Sequence, residues 1–487
     1  MIRPLVTLLA ATSLTACSLA PHYVRPELPV PPSWPVGDGY LQQSEATLPT
    51  VSYSDIFRDT RLQSLIVQAL ANNRDLRVAA ANIAAARAQY HIQRAELLPE
   101  VDASAGYRFA HNTNNAASGN GGATTGRNSN SFTADIGITS FEIDLFGRVR
   151  SLTTAAQDHY FGTEAAARAT RLTLVGDIAT TWLTYASDKS LLKIAQDTAA
   201  SAERSVKLTK ARLDGGIAPR TDLDQASNVL QTALSDVAQQ TTAVAQDVNA
   251  LQLLVGAPVD PTLLPGSIDE VAPTVAELPA GLDSRVLLRR PDVVQAEYEL
   301  RATNAEIGAA RAQLFPRVTL TALLGFASSA LTNLFTGGAF NYSVAPSASY
   351  PIFRAGAGKA TVAQSEAQRD AALATYEKAI QTAFREVADA LARRGTIADQ
   401  ERAQRALAAA ASDNYKLSDA RYRGGIDTFL NSLDAQRSLY AARRSLVATE
   451  LAKATNLVTL YRTLGGDSQL EPAPSGPKPA NAATPPR

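Results

Sequence analysis

The stretch RAELLPEV at residues 94–101 decides how the chain is organised, because it returns as RAQLFPRV at residues 311–318. Two further matches follow in the same order, IDLFGR (143–148) with YPIFRA (350–355) and RLDGGI (212–217) with RYRGGI (421–426). The three offsets are 217, 207 and 209 residues, and a longer polar loop in the first copy accounts for the drop. Ordered anchors at similar offsets indicate an internal duplication, in which each copy reads long helix, strand, strand, long helix, helix.

Composition excludes several classes of function. The 46 basic and 46 acidic residues give a formal charge of zero, so bulk electrostatics does not favour a nucleic-acid partner. One cysteine and four histidines allow neither a disulfide framework nor a Cys/His metal site. We therefore expect no metal and no cofactor.

The N-terminus predicts export and lipid attachment. A basic start is followed by a short apolar run and by Leu14-Thr-Ala-Cys17, which resembles a bacterial lipoprotein box. The resemblance implies that residues 1–16 are a signal peptide and that Cys17 becomes the lipidated first residue of a proline-rich tether, residues 17–58. Ser18 at the next position points to the outer membrane. The alternative is an ordinary secretory signal with an incidental cysteine.

Long segments poor in glycine and proline predict helical hairpins. Residues 163–214 and 359–423 are followed by residues 220–255 and 426–464, and the tight turns lie at Gly215-Gly216 and Gly424-Gly425. A helix of this length reaches on the order of 80 to 100 Å. A soluble coiled-coil bundle would give the same pattern, so the helices alone leave that alternative open.

Alternation of apolar and polar residues predicts four strands, near residues 101–111, 132–143, 318–327 and 339–350. Each run has about the length of a tilted transmembrane β-strand. Four strands cannot close a membrane barrel, which needs about eight, so several chains must share one barrel. Two ordinary hairpins on a soluble core remain the alternative.

These patterns divide the chain into regions. After the tether we predict a first repeat at residues 59–255, an equatorial linker at 256–285, a second repeat at 286–465 and a disordered tail at 466–487.

Several motifs together resemble the TolC-type outer-membrane efflux factors, in particular their OprM-like and NodT-like lipoprotein branch. The motifs are the lipobox, LFGR at 145–148, RRPD at 289–292, LFP at 314–316, RYRGGI and LDAQRS at 433–438. The resemblance implies an α+β membrane protein that forms a homotrimer. Its twelve-stranded transmembrane β-barrel, four strands from each chain, would continue into a long periplasmic α-helical barrel. It also implies two partners, a periplasmic adaptor protein and an inner-membrane transporter of the RND class.

The resemblance places the two glycine turns at the periplasmic tip of the helical barrel. Gly215, Gly216, Arg220, Gly424 and Gly425 are then candidates for the tip turns and for adaptor docking. Asp419 and Arg423 lie four residues apart on one helix and form a candidate aperture gate. The alternative is that these charges are solvated turn residues of little energetic value.

The predicted function is conduction and not catalysis, because no Walker-type phosphate loop and no catalytic constellation occurs in the sequence. We expect an outer-membrane exit channel of a tripartite efflux pump, passing drugs or other small solutes. The alternatives are an exit duct for type I protein secretion or heavy-metal export, and a lipid-anchored structural coiled-coil protein of the periplasm without a pore.

Overall fold

The computed structural model describes residues 18–37, 39–40, 52–113, 126–277 and 284–466. The chain divides into two compact units. The sheet unit draws on Met1–Pro26, Ala84–Gly162 and Glu297–Thr375, and the helical unit on Glu27–Ile83, Thr163–Ala296 and Tyr376–Arg487. Cys17 and the tail from residue 467 onward lie outside the described residues.

The main helices repeat in order along the chain. They are α1 (Thr60–Asn72), α2 (Arg74–Ala95), α3 (Arg148–Asp214), α4 (Arg220–Val255), α5 (Pro291–Ala312), α6 (Ala357–Arg423) and α7 (Phe429–Thr463). Helices α3 and α6 have 67 residues each, which corresponds to about 100 Å. Short helical turns occupy Pro261–Leu263, Ile268–Val271, Ala272–Thr274 and Ser284–Arg289. No helix in the described ranges combines the length and the apolarity needed to cross a membrane.

The four strands form one antiparallel sheet in the order β1-β2-β3-β4. Their bounds are Asp102–Thr113 for β1, Gly126–Glu142 for β2, Arg317–Ser328 for β3 and Phe340–Ser349 for β4. The two hairpins β1-β2 and β3-β4 belong to the two sequence copies, and the pairing of β2 with β3 joins the copies. An irregularity between Ile138 and Phe141 shifts the register of that central pair.

The helical unit has a core of large side chains from several helices. Trp182, Ile178 and Leu251 are fully buried, and the indole N–H of Trp182 donates to the Leu263 carbonyl at 3.0 Å. The RRPD motif also has a structural role here, because Arg290 is buried and binds Asp292, Glu386 and the Thr463 carbonyl. A buried guanidinium that is satisfied in this way ties together the start of α5, the middle of α6 and the end of α7.

Helix α7 begins later than the sequence predicted. The absence of glycine and proline suggested helix from Ile426, whereas the first helical residue is Phe429 with Thr428 as N-cap. The Asp427 carboxylate accepts a hydrogen bond from the Thr428 backbone N–H at 2.8 Å and one from the Asn431 side chain. A side chain that binds backbone locally favours a turn over a helix interior, so the turn extends through residue 428.

Candidate functional site

One face of the four-stranded sheet is apolar from edge to edge. Across the register, Ala103 lies opposite Ile136, Ile136 opposite Leu324, and Leu324 opposite Tyr342. The next rows carry Tyr107 beside Phe132, with ring centroids 4.8 Å apart, and Phe326 beside Phe340. Tyr342 is 74% exposed in the single chain, so this face is suited to contact lipid and not water.

The opposite face is mainly polar. Ser104 lies opposite Asp135, Asp135 opposite Gly325, and Gly325 opposite Asn341. A Cβ atom at Gly325 would come within 2.3 Å of an Asp135 side-chain oxygen, so the glycine makes room for the carboxylate. Polar side chains aligned on one face can line a water-filled passage.

The edges of the sheet are open. Strand β1 pairs with β2 alone and strand β4 with β3 alone among the described residues. An edge strand presents N–H and C=O groups that need partners, and in lipid no water is available to supply them.

The two glycine turns share one backbone geometry. At the end of α3 the N–H of Ile217 donates to the Arg212 carbonyl and that of Gly216 to the Leu213 carbonyl, both at 2.9 Å. The same pair of bonds closes α6, from Ile426 to Arg421 and from Gly425 to Tyr422. These are Schellman motifs, which require a left-handed residue after the helix.

Gly216 at φ +72° and Gly425 at φ +73° supply the left-handed residues. Gly215 and Gly424 are not left-handed, and a Cβ atom at either would meet its neighbours no closer than 3.4 Å. Only the second glycine of each pair is therefore required by the turn.

A small core beneath the turns joins the ends of the two hairpins. Tyr422, Phe429, Leu433 and Ala226 are buried together. The Arg212 guanidinium lies 4.4 Å from the centroid of the Tyr422 ring and donates to the Tyr422 carbonyl at 3.3 Å. Arg212 begins the RLDGGI anchor, but its stacking on Tyr422 could not be predicted from the sequence, because the two residues are 210 positions apart.

The candidate gate residues form an ion pair within the chain. Arg423 Nη2 lies 2.9 Å from Asp419 Oδ2, and the two side chains are 60% and 21% exposed. The places of these residues in the first copy are taken by Asp214 and Lys210, which pair at 3.3 Å with the charges reversed. Arg220, on the other side of the first turn, reaches Asp224 at 3.8 Å and is largely exposed.

Asp427 also contributes to the second turn. Its hydrogen bonds from the Thr428 N–H and the Asn431 amide, together with Arg421 at 3.3 Å, lower the pKa of its carboxyl group. Asp427 therefore remains charged beside the second glycine turn at neutral pH.

In the sheet unit, residues 18–25 form what we call the N-terminal strap. The strap runs antiparallel to α5: Arg25 pairs with Glu297 at 3.0 Å, and Asn304 donates to the Pro21 carbonyl at 2.8 Å. Gly308 permits a close approach, since a Cβ atom there would come within 2.7 Å of Ala20. The strap therefore directs its beginning toward the end of α5, next to β3.

Tyr23 fastens the strap further. Its hydroxyl donates to Glu297, and Arg301 lies 4.9 Å from its ring centroid. Burial and the Glu297 charge raise the pKa of Tyr23, so the hydroxyl keeps its proton. No sequence pattern predicts that the strap packs on α5, because the strap and the helix are separated by more than 270 positions.

Metal binding finds no support in the described ranges, where no group of three or more His, Cys, Asp or Glu side chains could hold an ion.

A two-faced antiparallel sheet joined to duplicated long helical hairpins defines the class of outer-membrane channel proteins with a helical periplasmic portion. Comparison with known proteins gives the family. The chain belongs to the outer membrane efflux protein family, whose sequence profile matches residues 65–257 and 282–466.

Individual relatives are similar over nearly the whole chain. The chain is 42% identical over 470 residues, 96% of either protein, to the antibiotic efflux pump outer membrane protein ArpC of Pseudomonas putida. The same figures hold for the toluene efflux pump outer membrane protein TtgC of the same species. The solved open state of the Neisseria gonorrhoeae MtrE outer membrane channel is 33% identical, with a TM-score of 0.82 over 93% of this chain and 98% of that one.

These similarities confirm the resemblance to TolC-type channels, the fold class and the internal duplication. The chain is an outer-membrane channel component of a tripartite efflux pump and lies in the Gram-negative outer membrane with a periplasmic helical portion. The repeat and linker limits, the roles of the tip residues and the lipid on Cys17 remain predictions.

Proposed function

We propose that three copies of the chain form one passive exit duct for antibiotics or small apolar solutes. The observation that carries the proposal is the open-edged sheet, with one apolar face and one polar face and only four strands. Three chains would supply twelve strands, enough for a closed barrel with an aqueous lumen. Closure would pair the free edge of β4 with that of β1 in the next chain and remove every edge.

The duct performs no catalytic step in this proposal. Its polar face offers Ser104, Asp135 and Asn341 to passing solute, and conduction needs such contacts to be weak and numerous. The relatives are named for efflux of antibiotics and of toluene, which supports a cargo of small organic molecules.

The helical hairpin tips are the proposed docking surface for a periplasmic adaptor. Ile217 and Ile426, at the apices of the two turns, are 79% and 69% exposed. Exposed isoleucines at the apices, beside the exposed charge of Arg220, are suited to a partner with apolar contacts and a polar rim. The adaptor would link the duct to an inner-membrane transporter of the RND class, which would supply the energy.

Cys17 is the proposed lipid anchor. The strap leads the chain toward the end of α5, where β3 begins, so an acyl chain on the preceding residue would reach the membrane surface. The lipid on Cys17 and the apolar face of the sheet would then both hold the chain in the membrane.

A deletion strain tests the proposed function. We expect increased susceptibility to several antibiotics and to toluene, restored by the intact chain, with secreted proteins and tolerance of copper and silver salts unchanged. Loss of a secreted protein or of metal tolerance, with drug susceptibility unchanged, would instead assign the duct to one of the alternative cargoes.

A further inference from the structure

The sheet contains a joint within the chain, at which β2, the second strand of the first repeat, meets β3, the first strand of the second repeat. Phe146, which follows β2, stacks on Phe315, which precedes β3, with ring centroids 4.7 Å apart and planes 19° apart. The N–H of Ile143 donates to the Val318 carbonyl at 2.9 Å and extends the β2-β3 ladder beyond the strand. An aromatic stack and one backbone hydrogen bond thus seal the two copies together.

The duplication gives each member of this joint a counterpart. Phe353 in YPIFRA takes the place of Phe146, and Leu98 in RAELLPEV takes the place of Phe315. Phe353 follows β4 and Leu98 precedes β1, and these strands are the two edges of the sheet. The counterparts therefore lie at opposite edges of the sheet. Phe353 and Leu98 of one chain cannot pack on each other as Phe146 and Phe315 do.

Phe353 and Leu98 are highly exposed in the single chain, as expected for residues that pack against a second chain. Phe353 is 87% exposed, the adjacent Ile352 is 93% exposed, and Leu98 is 71% exposed. Phe315, which is in the completed joint, is 42% exposed. Burial of large apolar side chains is favourable, so these three side chains are suited to pack against a partner.

We infer that the second joint forms between copies of the chain: Phe353 packs on Leu98 of the neighbouring copy, and the Tyr350 N–H donates to the Val101 carbonyl of that copy. This inference rests on the proposed three-chain duct and specifies its contact. One kind of joint is then used once within each chain and once between chains.

The two joints differ in charge. The joint within the chain includes an ion pair, whereas the inferred joint between chains is apolar. Within the chain, Glu142 pairs with Arg317 at 2.5 Å. Ser349 and Glu100 stand at the equivalent places, so this ion pair is not repeated. The contact between chains depends on Phe353 and its apolar surroundings, and it should be less sensitive to salt than the contact within the chain.

Thiol cross-linking of the full-length protein tests the contact. The double variant Leu98→Cys with Phe353→Cys, treated with a short bis-methanethiosulfonate linker, should give a covalent three-chain band on a denaturing gel. Each single variant should stay at the single-chain mass. The single variants control for cross-linking through the native Cys17. Phe146→Cys with Phe315→Cys should be linked within the chain and also stay at the single-chain mass.

The native mass and the conductance of the same preparations separate two kinds of failure. A three-chain, conducting assembly whose double variant gives no linked band would overturn the joint and leave the proposed function standing. A single-chain native mass of the unmodified protein in detergent would overturn both.

A second measurement avoids cysteines. Phe353→Ala should lower the temperature at which the three-chain assembly dissociates in detergent. Phe335→Ala is the matched control, because Phe335 is 72% exposed in the loop between β3 and β4. Equal shifts for the two variants would contradict a specific role of Phe353.

Discussion

At the scale of single residues, each long helix ends with an ion pair between side chains four positions apart, and the two pairs have opposite polarity. In α6 the cation Arg423 lies nearest the helix C-terminus, where the helix dipole favours it, whereas in α3 the anion Asp214 occupies that place. The pair in α6 is also the less exposed one. Asp419 and Arg423 are therefore the better candidates for holding a closed tip.

Removal of the Asp419 charge should widen the tip. The pair within one helix is present whether the tip is open or closed, so the open-to-closed ratio depends only on contacts that Asp419 or Arg423 makes to a neighbouring chain in the closed ring. Contacts of about 0.5 kcal/mol at each of three chains would total about 1.5 kcal/mol, or roughly tenfold in that ratio. We expect Asp419→Ala to raise single-channel conductance in planar bilayers and to weaken the cation preference. Asp413→Ala, which removes an exposed pair with Lys416 on the same helix, should leave both unchanged. Identical traces for the two variants would reduce Asp419 to a solvated turn charge.

The sequence predicted the turn residues but not which glycine of each pair is left-handed, nor the contact that Arg212 makes. The Gly-Gly pairs predicted the turns because few other residues adopt a left-handed backbone. The pairing of Asp419 with Arg423 followed from helical spacing. The contact of Arg212 with Tyr422 depends on how two distant hairpins pack, which no local pattern contains.

At the scale of elements, the two copies agree closely in their helices. Helices α3 and α6 begin and end 209 positions apart, as the RLDGGI and RYRGGI anchors predicted. The strand alternation was also correct, because the period of two follows from the pleat. The strand order was not predictable from the alternation, since it depends on the pairing of β2 with β3 across the sequence copies.

The carboxyl group of Asp247 on α4 makes the stability of the folded chain depend on pH. Burial, reinforced by the charge of Asp188, raises the pKa of Asp247 from 3.8 to about 6. The folded state therefore keeps a proton that the unfolded chain has already released. The stability linked to this proton is fully present below about pH 4 and is lost as the pH rises through 6.

Asp247→Asn should accordingly stabilise the protein at pH 7.5 and not at pH 4. Because the site is partly solvated, we expect a gain of about 1 kcal/mol, less than the full shift would imply. Denaturant unfolding in detergent at the two pH values would measure it, with Asp224→Asn on the same helix as an exposed control. A gain of equal size at both pH values would contradict the titration.

At the scale of the whole molecule, the sheet and the proposed lipid make separable contributions to membrane attachment. Cys17→Ser should abolish incorporation of labelled palmitate. The protein should still fractionate with the outer membrane and should still require detergent, because the apolar sheet face remains.

We would compare Cys17→Ser with Ser18→Ala, a control variant that keeps the cysteine. The measurements are membrane fractionation, palmitate labelling and native mass. A Cys17→Ser protein that no longer required detergent would contradict the lipid contact of the apolar sheet face. Unchanged palmitate labelling would place the acyl group elsewhere.

The seat of the N-terminal strap has a consequence for biogenesis. Arg25 and Glu297 are 272 positions apart, so the strap cannot dock until α5 has been synthesised and exported to the same compartment. Such a long-range contact closes a very large loop. Docking of the strap therefore cannot precede the arrival of α5, the first helix of the second copy.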